Sequence, residues 1–185
     1  MSITPEQALA VYAAADCLHD GPTVERAVDR MAGEITAELR DTDPLVLTVM
    51  QGGVVPAGML LPRLDFPLRV DYIHATRYTG DTRGGELNWI VKPSCTLLDR
   101  TVLLIDDIHD EGHTLSAIVQ DCRVSGARAV YSAVLINKRH DRKADYRADF
   151  VGLEVEDRYV FGFGMDYKEY LRNVRGIYAV KDADA

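Results

Sequence analysis

The polar and apolar positions of the chain follow two periods. Ala27, Val28, Met31, Ile35 and Leu39 recur at helical spacing. Residues 45–50 and 101–105 are apolar runs, which predict short strands covered on both faces. Residues 68–75 alternate as Leu-Arg-Val-Asp-Tyr-Ile-His-Ala, the pattern of a half-exposed strand. Thr4-Pro5-Glu6-Gln7 predicts a first helix, with Thr4 as cap, Pro5 in the first turn, Gln7 completing a capping box and Gly21 as the stop. A second helix is expected after Thr23. Further strands are expected at 86–91, 129–136 and 177–180, and an amphipathic helix over 115–124. Buried strands alternating with helices predict an α/β fold: an open, mainly parallel twisted sheet flanked by helices.

The chain is organised around Val102-Leu103-Leu104-Ile105-Asp106-Asp107-Ile108-His109-Asp110-Glu111-Gly112-His113-Thr114-Leu115. An apolar strand runs into two adjacent carboxylates, which are expected to leave the core together at its carboxyl edge, where ligands bind in such sheets. A turn then leads into a helix starting near His113 or Thr114. That helix start offers free N–H groups and a positive dipole end to a phosphate, and Gly112 allows close backbone approach. The carboxylates suit ribose hydroxyls or a divalent cation. The combination predicts a site for a phosphorylated sugar. The plainer reading, a solvated acidic turn, does not account for the abrupt change from apolar strand to carboxylates.

Composition narrows the partners. The 185 residues carry a net charge of −8, which argues against nucleic acid or a membrane surface as the main partner. An anionic substrate then needs cationic groups or a metal inside the site. Cys17, Cys95 and Cys122 lack metal-ligand spacing, and an odd count fits a reducing cytoplasm. The segment Met1 to Glu6 has no targeting pattern, and no apolar run reaches membrane-spanning length.

Other segments carry weaker signals. Gln51-Gly52-Gly53 follows the 45–50 strand and precedes a helix, so it is either a second anion loop or a plain strand-to-helix turn. Residues 76–85, which include Arg77 and Tyr78, read as a polar, Gly-rich surface loop. Lys138 ends the 129–136 strand segment, either solvated or facing the ligand edge. His109 and His113 flank the acidic loop, and His113 is expected to face solvent.

The stretch from Val102 to Leu115 resembles the phosphoribosyl pyrophosphate motif of type I phosphoribosyltransferases: four apolar residues, two acids, two variable residues, then Asp-Thr-Gly-x-Thr. Glu111 stands where the family has Thr, and is expected to point outward because the cradle is largely backbone N–H. Residues 149–167 resemble the base-binding region of hypoxanthine-guanine phosphoribosyltransferases. The likeness runs from about residue 45 to the tail.

The resemblance implies one domain over residues 1–185, with amino-terminal helices (4–40) as scaffold, a core at about 45–140, and a base-binding carboxyl-terminal segment at about 141–181 forming a small hood. It implies purine salvage, with the phosphoribosyl group transferred to hypoxanthine or guanine. A xanthine-preferring enzyme or a non-catalytic regulator on the same fold are the alternatives. Asp110 is the implied catalytic base, and partial desolvation near Asp106 and Asp107 is expected to raise its pKa. Residues 110–114 (Asp110, Glu111, Gly112, His113, Thr114), with Asp106 and Asp107, would hold the phosphoribosyl group. Gln51, Gly52, Gly53 and Arg172 would hold pyrophosphate; the non-proline cis peptide that relatives often have before this loop falls at Met50–Gln51, and the sequence leaves open whether that bond is cis. Lys138 would contact the purine 6-oxo group, Tyr159 would stack on the ring, and Val160 would use its backbone. Arg77 and Tyr78 would close over the site. Asp166 and Asp106 would bind magnesium. A homodimer or homotetramer is the family habit.

Overall fold

The computed structural model describes residues 3–77 and 87–181. Helix α1 spans Pro5–Ala14, and its Thr4–Gln7 capping box forms as expected. The helix stops early, because Asp16–Asp20 forms a strand, β1. Nothing local in Asp-Cys-Leu-His-Asp dictates a strand. Its pairing with a distant carboxyl-terminal segment does so, overriding local propensity. Asp20 then caps α2 (Gly21–Leu39) by accepting the Thr23 N–H at 2.9 Å, so this helix begins before the expected Thr23.

Strand β2 (Leu45–Met50), the seven-residue α3 (Val54–Leu60), β3 (Arg69–Arg77) and β4 (Leu87–Val91) follow. Strand β5 (Thr101–His109) leads through α4 (His113–Val124) to β6 (Ala129–Arg139) and β7 (Phe150–Glu156). These strands build a sheet in the order β4-β3-β2-β5-β6-β7, parallel except for β4. The chain runs outward from β2 to β4, then returns to β5 on the other side of β2. The carboxyl ends of β2 and β5 therefore flank a topological switch point, where ligands bind in such sheets.

Strand β5 does not stop at Ile105. Pairing with β6 continues through Asp106↔Val134, Ile108↔Ile136 and His109↔Asn137. Asp106 and Asp107 are thus strand residues, and both reach the carboxyl edge, where each lines one of two adjoining clefts and their side chains lie close enough to interact. Leu103 and Ile105 pack in the core cluster shared with α2 and α3; Val102 and Leu104 pack in the one shared with α4. Asp107 follows the first register and Asp106 the second.

A second, antiparallel sheet joins β1 to β9 (Gly176–Ala179) and β8 (Val160–Phe161), in the order β1-β9-β8. Val160, Ile177 and Ala179 share a core with Val24 and Val28 of α2 and with Leu103 of β5. That shared burial fixes the small sheet, and the loops it carries, beside the ligand edge. No helix of the described residues is long and apolar enough to cross a membrane.

Candidate active site

Two open clefts meet at the carboxyl edge of the sheet. One, of about 480 Å³, is lined by Asp107, Asp110, Lys138, Tyr159, Val160 and Asp166, among others. The other, of about 560 Å³, lies over Asp106, Glu111, Gly112, His113 and Thr114. Ile108 and Asp110 line both. The geometry therefore places Asp110 at the junction of two compartments.

The second compartment is a helix entrance. Gly112 precedes α4 with φ 79° and no side-chain cap, leaving the first-turn N–H groups to an external acceptor. Glycine is required there twice over. The backbone is left-handed, and a Cβ would lie 2.3 Å from Nε2 of the buried His109. Glu111 turns outward as expected: its carboxylate lies 3.9 Å from Arg142 and 3.9 Å from His113, and all three side chains are exposed.

In the first compartment the Lys138 ammonium donates to Asp110 Oδ2 at 2.7 Å. His140 Nε2 lies 2.7 Å from Asp110 Oδ1. Burial pushes the Asp110 carboxyl upward, but the hydrogen bonds from Lys138 and His140 outweigh it and hold Asp110 below the ordinary range. This reverses the expectation of a raised Asp110. The raised pair is Asp106 and Asp107. Loss of water raises both, and the Asp107 charge raises Asp106 further.

Asp107 faces the glycine loop, where a Cβ on Gly52 would sit 2.0 Å from its Oδ2. The Met50–Gln51 peptide, left open by the sequence, is cis. Gly52 and Gly53 are buried and Gln51 is exposed. Arg172 ties the loops together. It donates to Asp166 Oδ1 at 2.7 Å and to the Gly164 carbonyl at 2.6 Å, and lies 3.9 Å from Asp107 Oδ2. Tyr159 is 42% exposed and meets Tyr167 edge-on, with ring centroids 5.5 Å apart. Val160 is buried beside it. Arg77 ends β3, but its side chain lies outside the described residues, as does all of Tyr78.

Sequence reasoning missed the connection between β6 and β7. His140 contacts Asp110, and Lys143 donates to the carbonyls of His109 and Asp110 at 3.0 Å each and to Asn137 Oδ1 at 2.9 Å. The Ala144 N–H donates to the Glu111 carbonyl at 2.7 Å. His140 had one legible signal: on a strand it would share a face with Lys138, two residues earlier. Asp110, His140 and Asp157 bring metal-ligand atoms within 4.8 Å of one another. Their polar atoms are already engaged by Lys138, by each other and by Arg142, which donates to Asp157 at 2.8 Å, so the trio is an ion network.

A mainly parallel sheet with a helix entrance at its switch point, and an acid–lysine pair one step away, is an α/β ligand-binding architecture. Residues 14–169 match the family described as "Phosphoribosyl transferase domain". The chain is 35% identical over 161 residues to the hypoxanthine-guanine phosphoribosyltransferase of Bacillus subtilis (strain 168), covering 86% of this chain and 89% of that protein. It is 29% identical over 167 residues to the hypoxanthine-guanine-xanthine phosphoribosyltransferase of Tritrichomonas foetus, covering 90% and 91%. The crystal structure of a hypoxanthine phosphoribosyltransferase from Staphylococcus aureus matches with a TM-score of 0.85 at 26% identity, covering 90% of this chain and 91% of that one. The chain belongs to the phosphoribosyltransferase family.

Proposed function

We propose that the protein transfers the 5-phosphoribosyl group of phosphoribosyl pyrophosphate to hypoxanthine or guanine, giving IMP or GMP and pyrophosphate, as a purine-salvage enzyme. The observation that carries this reading is the Lys138–Asp110 pair beside the phosphate-type loop. A 6-oxopurine with its proton on N7 presents an acceptor and a donor side by side on one edge. An ammonium next to a carboxylate is the complement of that edge. Adenine places an amino group where the 6-oxo stands, so two donors would face each other.

In the proposed step, the C1′–oxygen bond breaks and its electron pair leaves with pyrophosphate. The purine N9 lone pair forms the N9–C1′ bond. The N7 proton passes to Asp110 Oδ2, and its bonding pair stays in the ring, restoring the neutral base. Lys138 orients the base through the 6-oxo group, while Tyr159 stacks on the ring and the Val160 backbone meets its edge. The first turn of α4, with the Thr114 hydroxyl, holds the 5′-phosphate, and Asp106 and Asp107 face the ribose. The Gln51–Gly53 backbone and Arg172 receive the pyrophosphate. Arg77 and Tyr78 close over the site and exclude water.

The family resemblance implies magnesium, and the donor set fits it: carboxylate oxygens are hard ligands, and the electrostatic cost of the Asp106–Asp107 pair is relieved by a cation. Asp166 and Asp106 are the residues that would hold it. Magnesium, when bound, supplies charge neutralisation on the pyrophosphate oxygens.

The test is a nucleotide-formation assay with magnesium, phosphoribosyl pyrophosphate and hypoxanthine, guanine, xanthine or adenine in separate reactions. Hypoxanthine and guanine are expected to turn over and adenine not to, and Asp110→Asn to lose about 10²- to 10⁴-fold. Xanthine as the best base would keep the chemistry and change the named activity. Binding of phosphoribosyl pyrophosphate without turnover of any base would overturn the enzyme reading in favour of a ligand-binding regulator.

A further inference from the structure

Asp110 is held through both of its oxygens, by two groups of different character. Lys138 reaches Oδ2 with a flexible ammonium, and His140 reaches Oδ1 with a ring whose side chain is only 5% exposed. The orientation of that ring is determined. The backbone N–H of Arg142 donates to His140 Nδ1 at 3.1 Å. An amide N–H can only donate, so Nδ1 is the acceptor and Nε2 carries the proton that points at Asp110. The imidazole is a fixed one-way donor.

The terminal torsion of a carboxylate is soft and roughly two-fold. A single bond to a lysine ammonium, itself on a four-carbon stem, does not fix it. A second donor on the other oxygen does. Once a 6-oxopurine enters and Lys138 turns to its oxygen, His140 is the donor left on the carboxylate. We propose that His140 is a positioning residue that locks the Asp110 carboxylate, anchoring Oδ1 so that Oδ2 stays aimed at the purine N7. This rests on the reading of Asp110 as the base. Nothing in the phosphate loop or in the tyrosine platform supplies this restraint.

Other charged groups around Asp110 bear on the pH dependence. Lys138 and His140 touch it. Asp157 lies 4.0 Å from Lys138 and is engaged by Arg142. Lys143 holds the Asp110 carbonyl from beneath. Of these, Lys138 and His140 donate to the carboxylate itself. Removing the His140 donor leaves the other groups in place, so Asp110 is freed to rise toward the ordinary carboxylate range.

The experiment compares His140→Ala, His140→Gln, Asp110→Asn and the Asp110→Asn/His140→Ala double variant, using the whole chain with magnesium and phosphoribosyl pyrophosphate. In His140→Ala, kcat/KM for hypoxanthine is expected to fall about tenfold, the factor one charge-assisted hydrogen bond supplies. The acid limb of its pH profile should move upward. KM for phosphoribosyl pyrophosphate should hold. His140→Gln, whose amide can donate, should recover part of the loss. In the Asp110→Asn background, His140→Ala should cost nothing more, because it acts through Asp110.

A loss in His140→Ala with an unmoved acid limb, or an equal further loss in the double variant, would overturn the proposal and leave His140 as scaffold. Unchanged kcat/KM in His140→Ala would do the same. Full activity in Asp110→Asn would mark a different failure, that of Asp110 as base, and would remove the basis of the proposal with it.

Discussion

Asp106 and Asp107 sit side by side near the end of an apolar strand, where charge is poorly tolerated. Arg172, 3.9 Å from Asp107, gives partial relief. Such a pair is costly to the fold. Asp106→Asn is therefore expected to stabilise the protein while abolishing transfer. The folded state raises the Asp106 pKa above its unfolded value, so it holds the proton more tightly than the unfolded chain does. The penalty is absent below the unfolded pKa of about 4 and grows as pH rises through the gap between the two values. The gain from Asp106→Asn should therefore appear at pH 8, as about 3 °C in Tm for about 1 kcal/mol. It should vanish near pH 3.5. Thermal unfolding at the two pH values decides it, and a lower Tm at pH 8 would refute the account.

At the scale of elements, the site depends on loops from separate strands that meet backbone to backbone. Gly164 has φ 112°, and a Cβ there would lie 2.2 Å from the Gly52 carbonyl. Gly164→Ala should thus strain its own backbone and push the loop bearing Asp166 away from the glycine loop. The expected outcome is a stability loss of more than about 1 kcal/mol and a raised KM for phosphoribosyl pyrophosphate. Gly33→Ala is the contrasting case. Gly33 lies within α2 with nothing within 4 Å of the added Cβ, so it should stabilise by about 0.5–1 kcal/mol and leave KM alone. Denaturant unfolding and initial rates on the two variants separate a steric contact from a general helix effect.

Much at this scale was legible beforehand. The capping box at Thr4, the periodic stripe of α2, the apolar runs of β2 and β5 and the start of α4 are written in neighbouring residues. The strand at Asp16–Asp20 was not, because its partner residues, Gly176 to Ala179, lie some 160 positions away. The extension of β5 through His109 was hidden for the same reason: it depends on register with β6.

Across the whole molecule, the core divides the three cysteines. Cys122 is buried on the inner face of α4, and burial pushes its thiol up to about 11. Cys17 and Cys95 are exposed. A thiol reagent at pH 8 should label two groups quickly in the folded protein and the third only on unfolding. Three fast groups would mean that the α4 packing opens readily. The same packing argument explains why the hood holds its place. Its strands bury Val160, Ile177 and Ala179 against α2 rather than forming a core apart, which sets Tyr159 and Asp166 beside β5.

The sequence by itself determined the phosphate-type loop, since residues 106–114 are contiguous and a strand, a glycine and a helix start bring them together by local geometry alone. It also named Lys138, Tyr159, Asp166 and Arg172 as candidates through their resemblance to a family. Only the tertiary structure decided what surrounds each of them. Asp110 meets Lys138 and His140, which lie 28 and 30 positions away. Asp106 and Asp107 are held within β5, each lining one of two adjoining clefts, because that strand continues in register with β6. A carboxylate's pKa is a sum over charges, donors and lost water from every segment packed around it, and that sum is not written in its neighbours. For this reason the raised acids proved to be Asp106 and Asp107, and the lowered one Asp110.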